Sequence, residues 1–160
     1  MDRALLTVGW IATLTYLATG YVGYAREGSR GGDLHVLLAL AASLLILFSH
    51  SWIMFYLIGT GKAIKEAVTE HRLPEEWIQR TKDFKNHCYP AMMLAMALVM
   101  ATFILGGGVE RRVLPGWIHH ALVYLALMSQ LRALWRETGA LKDNRDLMTE
   151  ADRTLRAKGA

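Results

Sequence analysis

The sequence predicts an all-α integral membrane protein: an antiparallel bundle of four transmembrane helices, with a short amphipathic cytoplasmic helix between the second and the third. Three observations carry this expectation. Four apolar stretches, at about 4–24, 34–59, 89–109 and 113–134, each approach the ~20 helical residues needed to cross a hydrocarbon core about 30 Å thick. Lipid offers no partner to a backbone amide, so such stretches are helices rather than open strands. The chain has 160 residues and 53% hydrophobic content, which is enough for one membrane domain and no separate soluble one. Mean hydropathy is only +0.22, because the connections and the 135–160 segment are densely charged and average the spans away.

The elements follow in order. The first stretch has one cation, Arg3, before its apolar run and no small-x-small cleavage pattern, so it reads as a retained helix rather than a signal peptide. The second is expected to run on to about residue 70 through Lys62 and Glu66, spaced one helical turn apart. Pro74 is expected to open the short helix 74–85. Glu75 and Glu76 fill its first turn and Lys82 and Lys85 its last, as the helix dipole favours. Trp77, Thr81 and Phe84 share one side, which predicts a helix resting on the membrane interface. Pro90 and Pro115 suit the first turns of the third and fourth spans, where a missing N–H costs nothing. Gly106, Gly107 and Gly108 read as the stop and tight turn after the third span, and 135–160 as a cytoplasmic tail.

Charge gives an orientation. Of the 18 Lys and Arg residues, 14 fall at Arg3, between Lys62 and Lys85, or from Arg132 onward; the others are Arg26, Arg30, Arg111 and Arg112. The positive-inside rule then places both termini and the 61–86 connection in the cytoplasm, in a bacterial inner membrane. The net charge of +4 is thus spent on topology and anionic headgroups. No base-reading motif accompanies it, so nucleic acid is not an expected partner; membrane lipids, and other membrane subunits or a second copy of the chain, are. Cys88 is the only cysteine, which excludes a disulfide framework.

The chain also carries a faint echo of itself. Leu34-His35-Val36 resembles Ile118-His119-His120 at an offset of 84 residues, and Thr60–Lys65 resembles Thr138–Lys142 at an offset of 78. A duplicated helical hairpin would need its register to slip by six residues between these two matches.

Ionisable groups inside a membrane are costly and mark candidate sites. Here they are histidines. His35 near the start of the second span and His119 and His120 near the start of the fourth lie on one side of the membrane and can meet. His50 follows His35 by 15 residues, which puts it about 60° off the same face and ~22 Å further along the axis. Two histidines four turns apart on one helix suit two stacked haem b groups. His35 would pair with His119 or His120 about one iron, and His50 with His87 about another if the third span starts deep enough. A quinone pocket is expected near His50 from Ser51, Trp52, Gln130 and Arg132. The plainer alternative for each histidine is a neutral imidazole bonded to a serine or facing headgroups. Met92, Met96 and Met100 form a stripe suited to packing and, less directly, to Cu(I).

No nucleophile elbow, helical His-Glu-x-x-His or phosphate loop is present, and no catalytic residue is expected. Asp and Glu are absent from the four apolar cores, which argues against a proton-coupled transporter. The function expected is membrane-embedded electron transfer through haem b, with possible contact to quinone in a respiratory chain. The alternative is a cofactor-free accessory or assembly subunit of a larger membrane complex.

Overall fold

The computed structural model describes residues 2–25 and 32–158. Arg26 and Arg30, two of the four cations assigned to the non-cytoplasmic side, lie outside them. The described residues form four helices: α1 (Asp2–Ala25), α2 (Gly32–His71), α3 (Glu76–Glu110) and α4 (Gly116–Ala157). The first three are long and apolar enough to cross a membrane. α4 is less apolar because His119, His120, Gln130 and Arg132 interrupt its hydrophobic run. α1 packs on α2 and α3 on α4; α2 also touches α3, and α1 touches α4. α2 and α4 meet directly, whereas the backbones of α1 and α3 stay apart among the described residues and meet only through side chains such as Tyr16 and Thr102. The two long helices α2 and α4 are therefore central, with α1 and α3 on opposite flanks.

Three expectations about the elements change. The separate helix at 74–85 is the first part of α3, which runs unbroken through Pro90. Pro90 forgoes one backbone hydrogen bond without ending the helix. The Trp77, Thr81 and Phe84 face is buried rather than laid on a membrane surface, and it packs in one cluster with Ile64, Val68, Leu147 and Ala151. The reason lies in α4, which does not yield to a tail after Leu134 but continues to Ala157. That extension gives the first half of α3 two helical partners. Arg72, with φ of 50°, turns the chain between α2 and α3, and the Leu73 amide donates to the Val68 carbonyl at 3.2 Å.

The glycine triplet is also not a turn. Gly106, Gly107 and Gly108 are helical, and the chain reverses at Arg112, where φ is 58°. Val113 N–H donates back to Gly108 O at 2.9 Å. Gly106 and Gly108 serve close approach instead: a Cβ on Gly108 would stand 2.9 Å from Leu114 Cδ1.

The internal echo has a uniform register rather than a slipping one. Adding 83 takes five of the six buried residues of α1 (Leu5, Gly9, Ala12, Tyr16 and Thr19) onto buried residues of α3 (Cys88, Met92, Ala95, Val99 and Thr102), and the sixth, Thr13, onto half-buried Met96. Adding 84 takes Ala42, Ile46, Ser49, His50, Ile53 and Leu57 of α2 onto Ala126, Gln130, Ala133, Leu134, Glu137 and Leu141 of α4, all of them buried. Equivalent positions meet across the centre. Thr60 Oγ1 lies 2.7 Å from Asn144 Oδ1, and the rings of His35 and His119 face one another. The α1–α2 and α3–α4 hairpins thus share a burial register and bring equivalent positions together where α2 meets α4. Thr138, the counterpart suggested by sequence for Thr60, is exposed and bonds only along its own helix.

The Trp77 cluster generates a prediction. Trp77 is 3% exposed, and Trp77→Ala should lower stability by about 3–5 kcal/mol. Heat-induced alkylation of Cys88, which is buried in the same cluster, should begin at a lower temperature in the variant. Coincident labelling curves would mean that the extension does not fold as one unit with the bundle.

Candidate functional site

Polar and titratable side chains gather at two levels of this bundle. The first lies at the end where α2 and α4 begin. His35 and His119 come from equivalent turns of these helices, with ring centroids 6.4 Å apart and ring planes at 87°. The rings stand against equivalent residues, but only His35 has its Nδ1 bonded; His119 Nδ1 is buried with no hydrogen-bond partner. His35 Nδ1 is 3.1 Å from the Thr19 carbonyl oxygen; a carbonyl only accepts, so Nδ1 carries the proton and Nε2 keeps its lone pair. The backbone of Thr102, the counterpart of Thr19, bears on the His119 ring.

Beyond these carbonyls stand two equivalent glycines. A Cβ on Gly23 would lie 2.9 Å from His35 Cε1 and 3.1 Å from Nδ1, and one on Gly106 would lie 2.9 Å from His119 Cε1 and 3.2 Å from Nδ1. Any larger residue at either glycine would push an imidazole out of place. His120 is turned away from this pair and packs on Tyr24, with ring centroids 5.2 Å apart.

The second level lies around His50, and there the two hairpins differ. His50 is fully buried, with its Nδ1 against Glu137 Oε1 and its Nε2 2.8 Å from Gln130 Oε1. Gln130 Nε2 donates to Thr13 Oγ1 at 3.1 Å, and that hydroxyl donates to the Gly9 carbonyl at 2.9 Å. The chain of bonds fixes a protonation pattern. Thr13 has one hydroxyl proton, committed to Gly9, so it can only accept from Gln130. The amide therefore presents its oxygen to His50, and His50 Nε2 must carry a proton to donate to it. A second proton lies between Nδ1 and Glu137 Oε1. Glu137 is itself fully buried, and its Oε2 has no hydrogen-bond partner. Removing one member of such a buried pair typically costs about 3–5 kcal/mol, because the other is left uncompensated.

The remaining candidate residues are dispersed. His87 is exposed and lines a surface groove with Arg80, Trp135 and Arg136. It does not meet His50, whose two nitrogens both have protein partners, so no second histidine pair forms. The proposed quinone-pocket residues do not converge either. Gln130 points inward to His50 and Thr13, while Arg132, about 200° further round α4, is exposed. Trp52 is on the bundle's outer surface against Phe48, at 5.2 Å, and Ser51 is half-buried beside it. Met92 is buried and its sulfur lies 3.3 Å from Cys88 Sγ, whereas Met93 and Met100 face outward. Among the described residues no group of three or more His, Cys, Asp or Glu side chains is arranged to hold a metal ion.

Glu137 is the candidate-site residue that sequence reasoning missed. It falls three positions past the end assigned to the fourth span, so the cores read as free of carboxylates. The signal that finds it is the face of α4 on which Ala126, Gln130, Ala133, Glu137, Leu141 and Asn144 recur at helical spacing.

No family model, curated protein or solved structure matches the chain.

The glycine seats yield a controlled test. Gly23→Ala and Gly106→Ala should each destabilise the protein by about 1–3 kcal/mol through overpacking. Gly20→Ala and Gly107→Ala, where an added Cβ meets nothing within 4 Å, should be neutral or mildly stabilising. Thermal unfolding in detergent ranks the four, and equal behaviour of both pairs would show that the rings are not held by the glycines.

Proposed function

We propose that the protein is a haem-b-type electron carrier of the membrane, with iron held between His35 and His119. The observation that carries this reading is the spacing of the two rings. An ion bound through one nitrogen of each of two imidazoles, at about 2 Å per bond, holds the ring centres roughly 6 Å apart; His35 and His119 stand at 6.4 Å. The donor set fits as well. Nδ1 of His35 is tied to a backbone carbonyl, the second bond that orients a metal-ligating histidine and leaves Nε2 for the metal. Gly23 and Gly106 leave room behind both rings. When bound, the haem iron would accept and release one electron at a time; the chain's own part is to fix the two ligands and keep their level apolar.

In this reading α4 is the fourth span, with Ser129, Gln130 and Glu137 facing inward and Arg132 outward. Both termini and the α2–α3 connection are cytoplasmic, since Lys and Arg concentrate there, and the His35–His119 pair lies in the opposite half of the bilayer. Trp10, Leu14, Leu44, Phe48 and Phe55, all exposed on the bundle, face lipid or a neighbouring membrane subunit. His50 takes no part in iron binding.

Protein purified in detergent after expression with haem supply should give sharp α and Soret bands in a reduced-minus-oxidised spectrum. His35→Ala and His119→Ala should each abolish them, and Gly23→Ala should retain less haem than Gly20→Ala. A flat spectrum from folded wild-type protein, or an unchanged one in both histidine variants, would replace this reading with that of a cofactor-free subunit.

A further inference from the structure

The His50–Glu137 pair has no counterpart in the other hairpin. Its equivalents by register are Leu134 for His50 and Ile53 for Glu137, and Gln130 stands where α2 has Ile46. All six are buried, so the bundle can fill this level with apolar side chains and on one diagonal does not. Several buried polar atoms here are left over, Ser49 Oγ and Arg136 Nε among them, and two of them share one face of α4. Glu137 Oε2 and Asn144 Nδ2 are buried without partners, and they belong to residues seven positions apart on one face of α4, or about 10 Å along its axis. Orphaned polar atoms at that separation are the natural ends of a short water chain. Beyond Asn144 the polar series continues to the end of the bundle. Thr60 bonds Asn144 at 2.7 Å, and Tyr56, one turn from Thr60, donates to Asp2 at 3.3 Å. Asp2, at the start of α1, is partly exposed.

We propose that His50 and Glu137 form a proton-binding site inside the bundle, loaded from the Asp2 end through Tyr56, Asn144 and intervening water. The protonation pattern defines the step. Gln130 holds the Nε2 proton of His50 in place, and one further proton lies between Nδ1 and Oε1, so the resting pair is neutral overall. Loading adds one proton from a solvent acid to the open lone pair of Oε2. The carboxyl O–H forms, the pair becomes a monocation, and the acid becomes its conjugate base; unloading reverses this, and no electrons move. The titratable and charged groups bearing on Glu137 are His50 from α2, Cys88 from α3 and Arg136 beside it on α4. α1 contributes the Thr13 hydroxyl and carries no charge beyond Asp2 and Arg3. The site stands whether or not the His35–His119 level holds haem.

The test is pH-difference infrared spectroscopy on the full-length protein in nanodiscs. Acidification should produce a protonated-carboxyl band that shifts in D2O, is missing from Glu137→Gln, and exchanges at least several-fold more slowly in Asn144→Leu. A wild-type-minus-Glu137→Gln double difference that is flat wherever both proteins are folded would overturn the site. Unaltered exchange in Asn144→Leu would overturn the route. Should Glu137→Gln fail to fold, Thr13→Val provides the second reading. Loss of the acceptor for Gln130 frees the amide and with it the His50 proton, so the carboxyl band must move. A band left in place by Thr13→Val would equally overturn the proposal, since a merely structural ion pair predicts a change in stability and none in this band.

Discussion

The register between α2 and α4 is the constraint on which the rest of the molecule depends. Apolar helices in a bundle slide past one another at little cost, because one row of Leu, Ile and Ala packs nearly as well as the next. Buried polar atoms remove that freedom, since each must find its partner or lose its solvation. His50 engages α4 twice, at Gln130 and Glu137, and Thr60 engages it again at Asn144. A shift of one turn breaks all three bonds together. Gln130 extends the same constraint to α1 through Thr13. With α2 and α4 locked, His35 and His119 arrive opposite each other, and the extension of both helices past the end of α1 leaves the groove that the first half of α3 fills.

The shared register of the two hairpins explains why two sites of such different character share one bundle. Contact between α2 and α4 brings residues 84 positions apart together, so a residue present in both hairpins gives a matched pair. The His35–His119 level keeps that form down to a Thr about two turns and a Gly about one turn from the end of the neighbouring helix, with only His35 bonded to its Thr carbonyl. Half-way along the bundle the two hairpins differ. One supplies a base, His50, and the other an acid and an amide, Glu137 and Gln130. Two identical hairpins carrying both residues would repeat the His–Glu pair on both diagonals. A single chain can confine it to one and fill the other with Leu134, Ile53 and Ile46.

Much of the fold was legible in the sequence because membrane helices announce themselves through length and hydropathy. The starts of α2 and α4, the course of α2 past its apolar run, and the meeting of His35 with His119 all follow from spacing and polarity. What failed did so where the apolar run and the helix are different things. Hydropathy ends α4 at Leu134, but a helix continues as long as one of its faces has a partner, and Ala140, Leu141, Leu147 and Ala151 supply that face. Losing the second half of α4 hid Glu137, turned the Trp77–Phe84 face into an interfacial one, and paired Thr60 with the wrong residue. The glycine triplet misled for a related reason. Glycine can serve a turn or a close approach, and only the neighbouring Leu114 and His119 side chains show that Gly108 and Gly106 serve the second.

The inner level is hard to explain as a device for stability. Replacing a buried ion pair with well-packed apolar residues is commonly neutral or stabilising, whereas a half-satisfied one is costly. Here the apolar solution is already in the molecule, in Leu134, Ile53 and Ile46 on the related diagonal. The polar one is incomplete, since Glu137 Oε2 is left open. Register alone would also be set by the neutral Thr60–Asn144 bond without a buried acid. A fully bonded imidazole whose Nε2 proton is held through Gln130 and Thr13 by a backbone carbonyl leaves one position in the network where a proton can be gained or lost. That position is the free oxygen of Glu137, on the same face of α4 as the unpartnered Asn144 amide. The expense of the level is intelligible as the expense of keeping that single position open.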